Sequence, residues 1–534
     1  MEARCLPFSN IPHTTRLFAD YSSDFSRVQS FYPLSPHESG RLAESAAQLR
    51  YPAEIRVAVS DILERQNRKL GGSAETLKNI QRLRNGSVAM VTGQQVVLLG
   101  GPAFGIYKAL TVIKHARQLT AAGVDSVPIF WLATEDHDFA EVSHNALRSS
   151  NGSLHPVAIP CTAPEGTPIG RIAIGEQGAT IIREAANLLP DSPYRDLLIE
   201  CYQADETLGS AFGKLFARLF GEFGLIFLDP AEPALHHLAA PLYREAAARS
   251  AEIVQALEER GRALERAGYH EQVKITSSLT LLFADVNGVR TPIRRVNDEF
   301  VVGEERYTPK QLDSQIAEHP ERFTPNVLLR PVIQDFLLPT LAYTGGPAEV
   351  AYFAQAGVVY EKLLRRVTPI LPRFSATLLD PRTRRHLEHY KLSPQECFKS
   401  EQELRELLAA KTLPAEIGAT FSQSERELNL LIERLTEAVT RLDPTLRDAA
   451  ENSGSKMRHQ LQQLLGRAAR AQAMRNAEVA RHAGLLANTL YPNQKLQERE
   501  IASISYLAQF GAETLSKICD QIDFSCNGHC FVVM

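Results

Sequence analysis

The feature that most restricts the fold of this chain is a pair of short apolar segments with one helical segment between them, in residues 87–134. The first apolar segment is SVAMVTGQQ and the second is VPIFWLAT. Between them, Ile106, Leu110 and Ile113 recur at helical spacing, and Gly123 ends the segment. A strand, a helix and a second strand within about 50 residues form a βαβ unit, in which the two strands are parallel. The pattern therefore predicts an α/β fold built on a parallel sheet.

Length and composition limit the classes of protein to which the chain can belong. Its 534 residues exceed one ordinary domain, so two or three domains are expected. The 58 basic and 62 acidic residues leave a net charge of −4, which gives no general attraction to nucleic acid. The chain has no apolar stretch near the roughly 20 residues that span a bilayer, and its beginning does not resemble a secretion signal. Seven scattered cysteines fit a reducing cytoplasm better than a disulfide framework. We expect a cytoplasmic protein without a nucleic-acid or membrane partner.

Polar groups follow the predicted strands. The first strand ends in TGQQ (residues 92–95), and the second is followed by EDHD (residues 135–138). The segments GLIFLDP and NVLLRPVIQD are interpreted as two further strands with polar ends, which carry Asp229 and Arg330. Because ligands of open α/β sheets bind beyond the carboxyl ends of the strands, we expect these four groups to meet at one edge of the sheet.

The TGQQ loop and the start of the next helix are predicted to hold a cofactor or another anion. The residues assigned to this role are Thr92, Gly93, Gln94, Gln95, Gly101, Tyr107 and Lys108. Helix starts and the glycines near them suit phosphates, although side-chain amides would equally stabilise a turn. The segment is not a Walker loop, because GPAFGIYK lacks the GK[ST] ending. Lys108 is interpreted as an anion contact or, alternatively, as a solvated lysine on an exposed helix face.

The EDHD segment is the candidate catalytic cluster. Its members are Glu135, Asp136, His137 and Asp138. In an extended chain, alternation places Asp136 and Asp138 on one side, and their mutual repulsion is expected to cost stability. Such a cluster can supply a general base near neutral pH or oxygen ligands for magnesium, whereas a solvated turn is the alternative.

Three later residues are candidates for binding the substrate. Arg330 can grip a carboxylate or phosphate in fork geometry, and Gln334 follows in the same segment. The alternative for Arg330 is a buried structural pair with Asp335. Glu349 lies near the start of a helix that begins at Pro347, where it can contact a ligand or complement the helix dipole.

Residues 386–490 have the pattern of two antiparallel helices with narrow apolar seams, which is typical of a coiled-coil hairpin. The seam positions are Leu428, Leu431, Leu435, Ala438 and Leu442, then Met457, Leu461, Leu464, Ala468 and Ala471. Such an arm usually binds another helix, so it is predicted to form a dimer. Several arginines raise nucleic acid as an alternative, which the acidic residues of the region weaken.

The C-terminal segment CDQIDFSCNGHCFVVM contains Cys519, Cys526, His529 and Cys530. A zinc site and a final strand are both compatible with it. The cluster lacks the paired spacing of a structural zinc motif, so no metal is predicted.

Five segments carry a resemblance to a known family. They are VTGQQVVLLGGPAFGIYKAL, FWLATEDHDFAEVSH, TPNVLLRPVIQDFLLPTLAYTGGPAEVAYF, PILPRFSATLLD and YPNQKLQERE. Their order and spacing resemble the BshC family of cysteine ligases in bacillithiol biosynthesis through nearly the whole chain. The resemblance implies a Rossmann-like core similar to class I aminoacyl-tRNA synthetases, with insertions and an antiparallel coiled-coil arm. We accordingly divide the chain into a core with an N-terminal helical segment (1–385), a dimerisation arm (386–490) and a C-terminal segment that packs back on the core (491–534).

The resemblance also implies an activity. Cysteine would be added to the amine of glucosaminyl malate, which makes these two small molecules the expected substrates and a homodimer the expected assembly. In this scheme the TGQQ loop holds a nucleotide, EDHD orients an amine or takes its proton, and Arg330 holds a carboxylate. ATP is the cofactor that the synthetase fold suggests, although the chain contains no HIGH-type signature and no functional KMSKS loop. The alternative function is a metal-dependent hydrolase of an amide or ester, with Asp136, His137 and Asp138 as ligands.

Overall fold

The structure is a computed structural model, and it describes residues 5–38, 40–412, 414–475 and 477–534. Two compact units are present. The first comprises the described residues up to Thr377 together with Glu498–Val532, and the second comprises Leu378–Gln497 and Val533–Met534. Within the described residues, no helix combines the length and the apolar character that crossing a membrane requires.

The strands of the described residues are β1 Cys5–Pro7, β2 Val88–Gln94, β3 Ser126–Leu132, β4 His144–Arg148, β5 Leu154–Ala158, β6 Ile226–Leu228, β7 Leu279–Val286, β8 Val289–Val296, β9 Glu299–Val302, β10 Glu305–Tyr307, β11 Phe323–Pro325, β12 Thr340–Gly345, β13 Ile370–Pro372, β14 Ala376–Leu379 and β15 Gly528–Val533. The α-helices are α1 Arg16–Ser23, α2 Gly40–Gln48, α3 Ala53–Lys69, α4 Ala74–Arg84, α5 Phe104–Ala121, α6 Phe139–Val142, α7 Gly175–Ala186, α8 Pro193–Cys201, α9 Leu208–Leu219, α10 Pro233–Ala248, α11 Ser250–Arg266, α12 Pro309–Glu318, α13 Arg330–Leu337, α14 Pro347–Leu364, α15 Pro381–Tyr390, α16 Glu401–Lys411, α17 Ala415–Leu442, α18 Arg447–Arg475, α19 Ala477–Leu490, α20 Gln497–Glu500, α21 Ser503–Phe510 and α22 Thr514–Gln521.

A parallel sheet in the order β13-β12-β2-β3-β6 forms the centre of the first unit. The predicted βαβ unit is confirmed, because β2 and β3 pair in parallel and α5 connects them. Both strands are buried along nearly their whole length, as expected of a parallel sheet covered by helices on both faces. Their carboxyl ends therefore lie at one edge, where Gln94 is the register partner of Leu132.

The prediction of a strand in NVLLRPVIQD is wrong. The segment forms α13, with Pro331 in its first turn and Val332, Ile333 and Leu337 buried. A short apolar run does not by itself distinguish a buried strand from a buried helix, and proline is well tolerated in the first turn of a helix. The strand that does lie beside β2 is β12, which precedes α14.

Insertions and termini add smaller sheets to the first unit. An antiparallel sheet has the order β10-β9-β8-β7-β11, and β4 pairs with β5 as a hairpin. The C-terminal HCFVVM segment is a strand, β15, which pairs antiparallel with β1. A disulfide joins Cys5 to Cys526 across 521 residues of sequence, whereas free thiols were expected. Spacing along the chain cannot indicate such a pair, because only the β1–β15 pairing brings the two cysteines together.

The second unit contains α15–α19. The predicted antiparallel hairpin is present, since Gln462 of α18 donates to Glu425 of α17 while Gly454 lies against Ile432. A Cβ on Gly454 would lie 2.6 Å from Ile432 Cγ2, so the helices approach closely at this glycine. Among the α17 side chains that the structure describes, Ile432 is the buried one, and it is not a predicted seam position. Leu431 and Leu435 of the seam are 42% and 46% exposed, so part of the apolar face is uncovered within one chain.

Candidate active site

A cavity of about 580 Å³ opens at the carboxyl edge of the central sheet. The ends of β2, β3, β12 and β13 form its floor, and α5, α13, α14 and the antiparallel sheet supply walls. The charged residues that line it are the cations Lys108, Arg290, Arg330, Arg373 and Arg499 and the acids Glu135, Asp136, Glu141 and Glu349. A concave site with convergent charges of both signs suits a small, polar ligand that carries carboxylates or phosphates.

Gly93 lets two strands and an aromatic ring approach one another at the floor. A Cβ at this position would lie 3.2 Å from Trp131 Cβ and 3.3 Å from the Tyr343 hydroxyl. The glycine of TGQQ therefore permits close packing of the floor, which is a structural role alongside its position on the cavity wall.

Lys108 is a buried structural cation. It is 3% exposed, and its ammonium donates to Gly93 O and Gln94 Oε1 at 2.8 Å and pairs with Glu349 Oε2 at 2.6 Å. These acceptors use all three N–H groups, so Lys108 ties β2 to the start of α14. Burial lowers the pKa of Lys108, and the Glu349 carboxylate opposes that shift. The structure contradicts the interpretation of Lys108 as a solvated surface residue.

Glu349 occupies the first turn of α14 and has two further donors. Its Oε2 accepts the Gly346 N–H at 2.7 Å, and its Oε1 accepts the Tyr343 hydroxyl at 2.7 Å. Burial raises the pKa of Glu349, but the Lys108 charge and these hydrogen bonds lower it by more. The net pKa therefore lies below the ordinary value, and the carboxylate stays ionised. Glu349 thus caps α14 and neutralises Lys108.

Arg330, the first residue of α13, presents an unsatisfied donor at the cavity. Its Nη1 donates to Gln334 Oε1 at 3.0 Å, and the Tyr352 hydroxyl also interacts with the guanidinium, while the buried Nη2 atom has no hydrogen-bond partner among the described residues. The guanidinium lies 5.6 Å from the Trp131 ring centre and 5.3 Å from that of Tyr343, within cation–π distance of both. A ligand oxygen would satisfy Nη2.

The alternative pair between Arg330 and Asp335 is not formed. Asp335 instead accepts hydrogen bonds from Gln334 Nε2 at 2.8 Å and from the Tyr360 hydroxyl at 2.5 Å. Gln334 is completely buried and is hydrogen-bonded to both Arg330 and Asp335. It therefore orients the Arg330 guanidinium.

Glu135 lines the cavity with a histidine behind it. His236 Nε2 lies 3.1 Å from Glu135 Oε1, and His236 Nδ1 lies 3.0 Å from the backbone oxygen of Phe323. Burial lowers the pKa of His236, but the hydrogen bond and charge of Glu135 raise it more, and the net pKa lies above its ordinary value. The two side chains therefore form a close buried pair at the cavity wall.

Asp136 is held by donors rather than strained by repulsion. Its Oδ1 accepts the His137 N–H at 2.7 Å and lies 3.7 Å from Arg290 Nη1, and its Oδ2 accepts from Gln95 Nε2. Burial raises the pKa of Asp136, but these hydrogen bonds and the Arg290 charge bring it well below the ordinary value. The expected destabilisation of this carboxylate by its neighbours is therefore wrong.

The EDHD segment does not continue as an extended strand. The Thr134 N–H donates to Leu132 O and the Phe139 N–H to His137 O, so the chain turns. Asp138 is exposed, and its Oδ1 caps α6 by accepting the Glu141 N–H at 3.0 Å. Strand alternation therefore does not apply, and Asp136 and Asp138 do not share a face.

The structure brings together about half of the predicted site residues. Those that line the cavity are Gly93, Gln94, Gln95, Lys108, Glu135, Asp136, Arg330 and Glu349. Those outside its lining are Thr92, Gly101, Tyr107, His137, Asp138 and Gln334. Thr92 donates to Thr344 O within the sheet, and Tyr107 is completely buried against Phe374. Adjacent residues of a helix point about 100° apart, which separates Tyr107 from Lys108.

Several cavity residues were not predicted. Arg290 comes from β8 and reaches Asp136 and His137, with its guanidinium 3.9 Å from the Phe283 ring centre. The local sequence around Arg290 contains no signal for this role. Arg373, in contrast, directly follows β13 in one of the family-like segments, so the strand-end argument would have identified it.

The positions of Asp136, His137 and Asp138, the three metal ligands of the hydrolase alternative, give no support to that alternative. His137 Nδ1 accepts from Arg290 Nη1 at 3.0 Å, Asp136 is bound by Gln95, and Asp138 faces solvent. Across the residues that the structure describes, no three His, Cys, Asp or Glu side chains are arranged to hold a metal ion. In the tail, Cys526 is bonded to Cys5, which also removes it from a zinc ligand set.

Comparison with known proteins gives a consistent result over the full length. Residues 1–374 match the family described as "Bacillithiol biosynthesis BshC, N-terminal Rossmann-like domain", and residues 376–534 match "Bacillithiol biosynthesis BshC, C-terminal coiled-coil domain". A protein of Koribacter versatilis is 46% identical over 516 residues, which cover 97% of each chain. A protein of Solibacter usitatus is 36% identical over 535 residues and 100% of each chain, and one of Salinibacter ruber is 31% identical over 515 residues, 94% of this chain and 93% of the relative. All three relatives bear the name "Putative cysteine ligase BshC". The Rossmann-like core, the coiled-coil region and these similarities show that the chain belongs to the BshC family of bacillithiol biosynthesis.

Proposed function

We propose that the protein is a cytoplasmic cysteine ligase that joins the carboxyl group of cysteine to the amine of glucosaminyl malate in this cavity. The names of the relatives support the ligase activity, and the charges of the cavity support the substrates. Cysteine and glucosaminyl malate both carry carboxylates and amines. The cavity is lined by both basic and acidic side chains, which complement carboxylates and amines respectively.

The single observation that carries the proposal is the unpartnered Nη2 of Arg330. A buried guanidinium N–H without an acceptor is costly, and a substrate carboxylate would satisfy it. We assign Arg330 to a carboxylate of the malate group. The guanidinium lies over the rings of Trp131 and Tyr343, and Gln334 accepts a hydrogen bond from its Nη1.

Glu135 is proposed to take the proton that the attacking amine must lose. An amine attacks an acyl carbon only through its free lone pair, so an acceptor within hydrogen-bond reach accelerates the reaction. Glu135 is the carboxylate of EDHD that both lines the cavity and is paired with a buried histidine. His236 positions it, and Asp136 organises the neighbouring wall through Gln95 and Arg290.

A carboxylate does not condense with an amine unaided in water, so the cysteine carboxyl must be activated. ATP is the proposed source, by analogy with class I aminoacyl-tRNA synthetases, and it would supply a phosphate-containing leaving group. The residues that fit its anionic part are Arg373 and Arg499, which line the cavity, rather than Lys108, whose ammonium is saturated by protein acceptors. Arg373 is held by Glu498 at 2.6 Å and by stacking at 5.4 Å on Phe104, which fixes it at the wall.

The coiled-coil region is proposed to form a homodimer. On α17, Ile417, Leu431, Leu435 and Leu442 lie along one stripe and are 42% exposed or more. Such a stripe buries little area unless a second helix covers it, and a second copy supplies the matching stripe.

The substrate assignment is tested with the single tryptophan of the chain. Trp131 is buried on the cavity wall beneath Arg330, so its fluorescence can report ligand binding without a contribution from a second tryptophan. We expect glucosaminyl malate to change this fluorescence in the wild type and to bind at least tenfold more weakly to Arg330→Met. Arg306→Met removes an exposed arginine of β10 and serves as the matched control. Equal affinity of wild type and Arg330→Met would remove Arg330 from substrate binding.

The activity itself is tested by thiol profiling of a bacterial strain that lacks its own enzyme of this family. The strain should accumulate glucosaminyl malate and lack bacillithiol, and expression of this chain should reverse both. Normal bacillithiol in the deletion strain, or failure of the folded chain to restore it, would contradict the proposed function.

A further inference from the structure

Three cysteines cluster at the sheet formed by the two ends of the chain, remote in sequence from every cavity residue discussed above. Cys5 lies in β1, Cys530 lies in β15, and the two are register partners. Cys526 precedes β15 and is bonded to Cys5. The free thiol of Cys530 lies 3.3 Å from Cys526 Sγ. One sulfur, that of Cys526, is therefore in contact with two alternative partners.

A glycine makes this cluster possible. Gly528 pairs with Pro7, and a Cβ at Gly528 would lie 2.2 Å from Leu6 O and 3.0 Å from Cys5 Sγ. Any other residue at this position would push β1 away from β15. Because Gly528 has no side chain, β1 and β15 can approach closely enough to bring the three sulfurs together.

We propose that Cys5, Cys526 and Cys530 form a thiol–disulfide exchange site, at which Cys526 bonds alternately to Cys5 and to Cys530. In the exchange, the Cys530 thiolate attacks Cys526 Sγ and forms a new S–S bond. The Cys5–Cys526 bond breaks, and its electron pair leaves with Cys5 Sγ, which takes a proton from water. The Cys530 proton passes to water in the same exchange, so no external oxidant or reductant is consumed.

The exchange exposes a reactive thiol at the surface. Cys5 is exposed, whereas Cys530 is 6% exposed. A released Cys5 thiolate attacks the disulfide of a low-molecular-weight thiol, which leaves one thiol bonded to Cys5 and releases the other as thiolate. The site thus takes small disulfides as its ligand class, with Cys5 as the modified residue.

The exchange also changes how the N-terminal strand is held. Among the described residues, β1 pairs with β15 alone, at three positions, and the disulfide is its covalent attachment to that strand. Once Cys526 bonds to Cys530, β1 is retained only by its short ladder and its side-chain packing. Three-residue ladders are weak, so β1 is expected to open more readily in that state.

The rate of exchange should rise with pH. Burial raises the pKa of the Cys530 thiol to about 11, and the nearby carboxylates Asp523 and Glu498 add to that shift. Only the thiolate attacks a disulfide, so below that pKa the thiolate population grows about tenfold for each pH unit.

The test measures the appearance of the Cys5 thiol in the full-length protein. Every variant carries Cys161→Ser, which removes an exposed free thiol. The proteins are oxidised with diamide, which forms protein disulfides without adding a small thiol, and are then freed of it. They are incubated at pH 7 or pH 9 with N-ethylmaleimide and mapped by mass spectrometry. We expect Cys5 to be labelled at pH 9 at least tenfold faster than at pH 7, together with a Cys526–Cys530 bridge.

The variants Cys530→Ser and Cys530→Ala remove the attacking thiol. Labelling of Cys5 should slow at least tenfold in whichever of them retains the wild-type melting temperature, and cystine should modify Cys5 correspondingly more slowly. The control Cys201→Ser removes a buried thiol whose pKa is likewise raised to about 11, and it should leave the rate unchanged. Three results would each overturn the proposal. They are labelling of Cys5 at the same rate without Cys530, an unlabelled Cys5 in the wild-type cluster, and seven free thiols in the protein that retains Cys161 after oxidation with diamide.

Discussion

At the scale of single residues, Lys108 is the clearest case of a polar group whose role is structural. Lys108→Ala would leave the Glu349 carboxylate and the Gly93 carbonyl without their cation beside the cavity. Removal of one partner from a buried ion pair costs about 3–5 kcal/mol, and access of water to the cavity moves the expected loss to the lower end, about 3 kcal/mol. Chemical denaturation followed by near-ultraviolet circular dichroism measures this change in the free energy of unfolding.

Two comparisons separate the pair from other effects of the substitution. Lys108→Met combined with Glu349→Gln removes both charges and should recover most of the lost stability. Lys114→Ala, on the same helix, removes a half-buried lysine whose ammonium makes one hydrogen bond, to Cys519 O at 3.3 Å, and should cost only about 1 kcal/mol. A loss below 1 kcal/mol for Lys108→Ala itself would show that Lys108 does not tie β2 to α14.

The pair of His236 and Glu135 predicts a pH-dependent contribution to stability. The pKa of His236 is raised in the folded protein relative to about 6.5 for a free histidine. A raised pKa stabilises the fold fully below the unfolded value, and this stabilisation is lost as the pH rises through the folded value. Glu135→Gln keeps the size and a hydrogen-bonding oxygen but removes the charge. The melting temperature of the wild type should therefore exceed that of Glu135→Gln by several degrees at pH 6, with a smaller gap at pH 9.

The gap between the two melting temperatures, rather than either value alone, is the informative quantity, because titrations elsewhere in the chain cancel in it. A gap that is constant or that widens between pH 6 and pH 9 would mean that His236 is not the charged partner of Glu135.

At the scale of secondary-structure elements, local pattern was sufficient for some features and insufficient for others. The β2–α5–β3 unit was predictable because its helical spacing and its two apolar strands are all contained in one stretch. Convergence of Gln95 and Asp136 followed from that topology alone. The strand prediction for α13 is wrong because a short apolar run has the same sequence pattern in a buried strand and in a buried helix. Arg290 lines the cavity and His236 lies behind Glu135, and both positions depend on long-range packing, which no local pattern encodes.

The helical hairpin of α17 and α18 gives a prediction about assembly. Leu431 and Leu435 are exposed on one stripe of α17 and are proposed to contact a second copy. The double variant Leu431→Glu with Leu435→Glu would place four carboxylates against each other in a symmetric dimer, at a cost that no apolar contact offsets. We expect a monomer by analytical ultracentrifugation, with the fold retained.

Arg434→Glu, on the same turn but off the stripe, is the control for added negative charge and should remain dimeric. A double variant that is still dimeric would place the dimer interface elsewhere than on this stripe.

At the scale of the whole molecule, every residue that lines the cavity belongs to the first unit. The chain leaves that unit after Thr377 and returns at Glu498, and the Leu378 N–H donates to Gln497 Oε1 at 2.7 Å. Because the two ends of the second unit are this close, a short glycine linker can replace residues 378–497. We expect the shortened protein to fold as a monomer and to bind glucosaminyl malate with the Trp131 fluorescence change of the full chain. A shortened protein that is folded but does not bind would show that the second unit is required for the site.

The most direct test of the proposed active site is bacillithiol production by Glu135→Gln beside Asp138→Asn, in a strain that lacks its own enzyme. Both substitutions remove one negative charge from EDHD, but Glu135 lines the cavity while Asp138 caps α6 at the surface. Loss of a general base typically lowers a rate by about 10²–10⁴-fold, so Glu135→Gln should accumulate glucosaminyl malate with little bacillithiol, and Asp138→Asn should produce nearly the wild-type amount. Wild-type bacillithiol from a strain that expresses Glu135→Gln at normal levels would contradict the assignment of this cavity as the site of cysteine ligation.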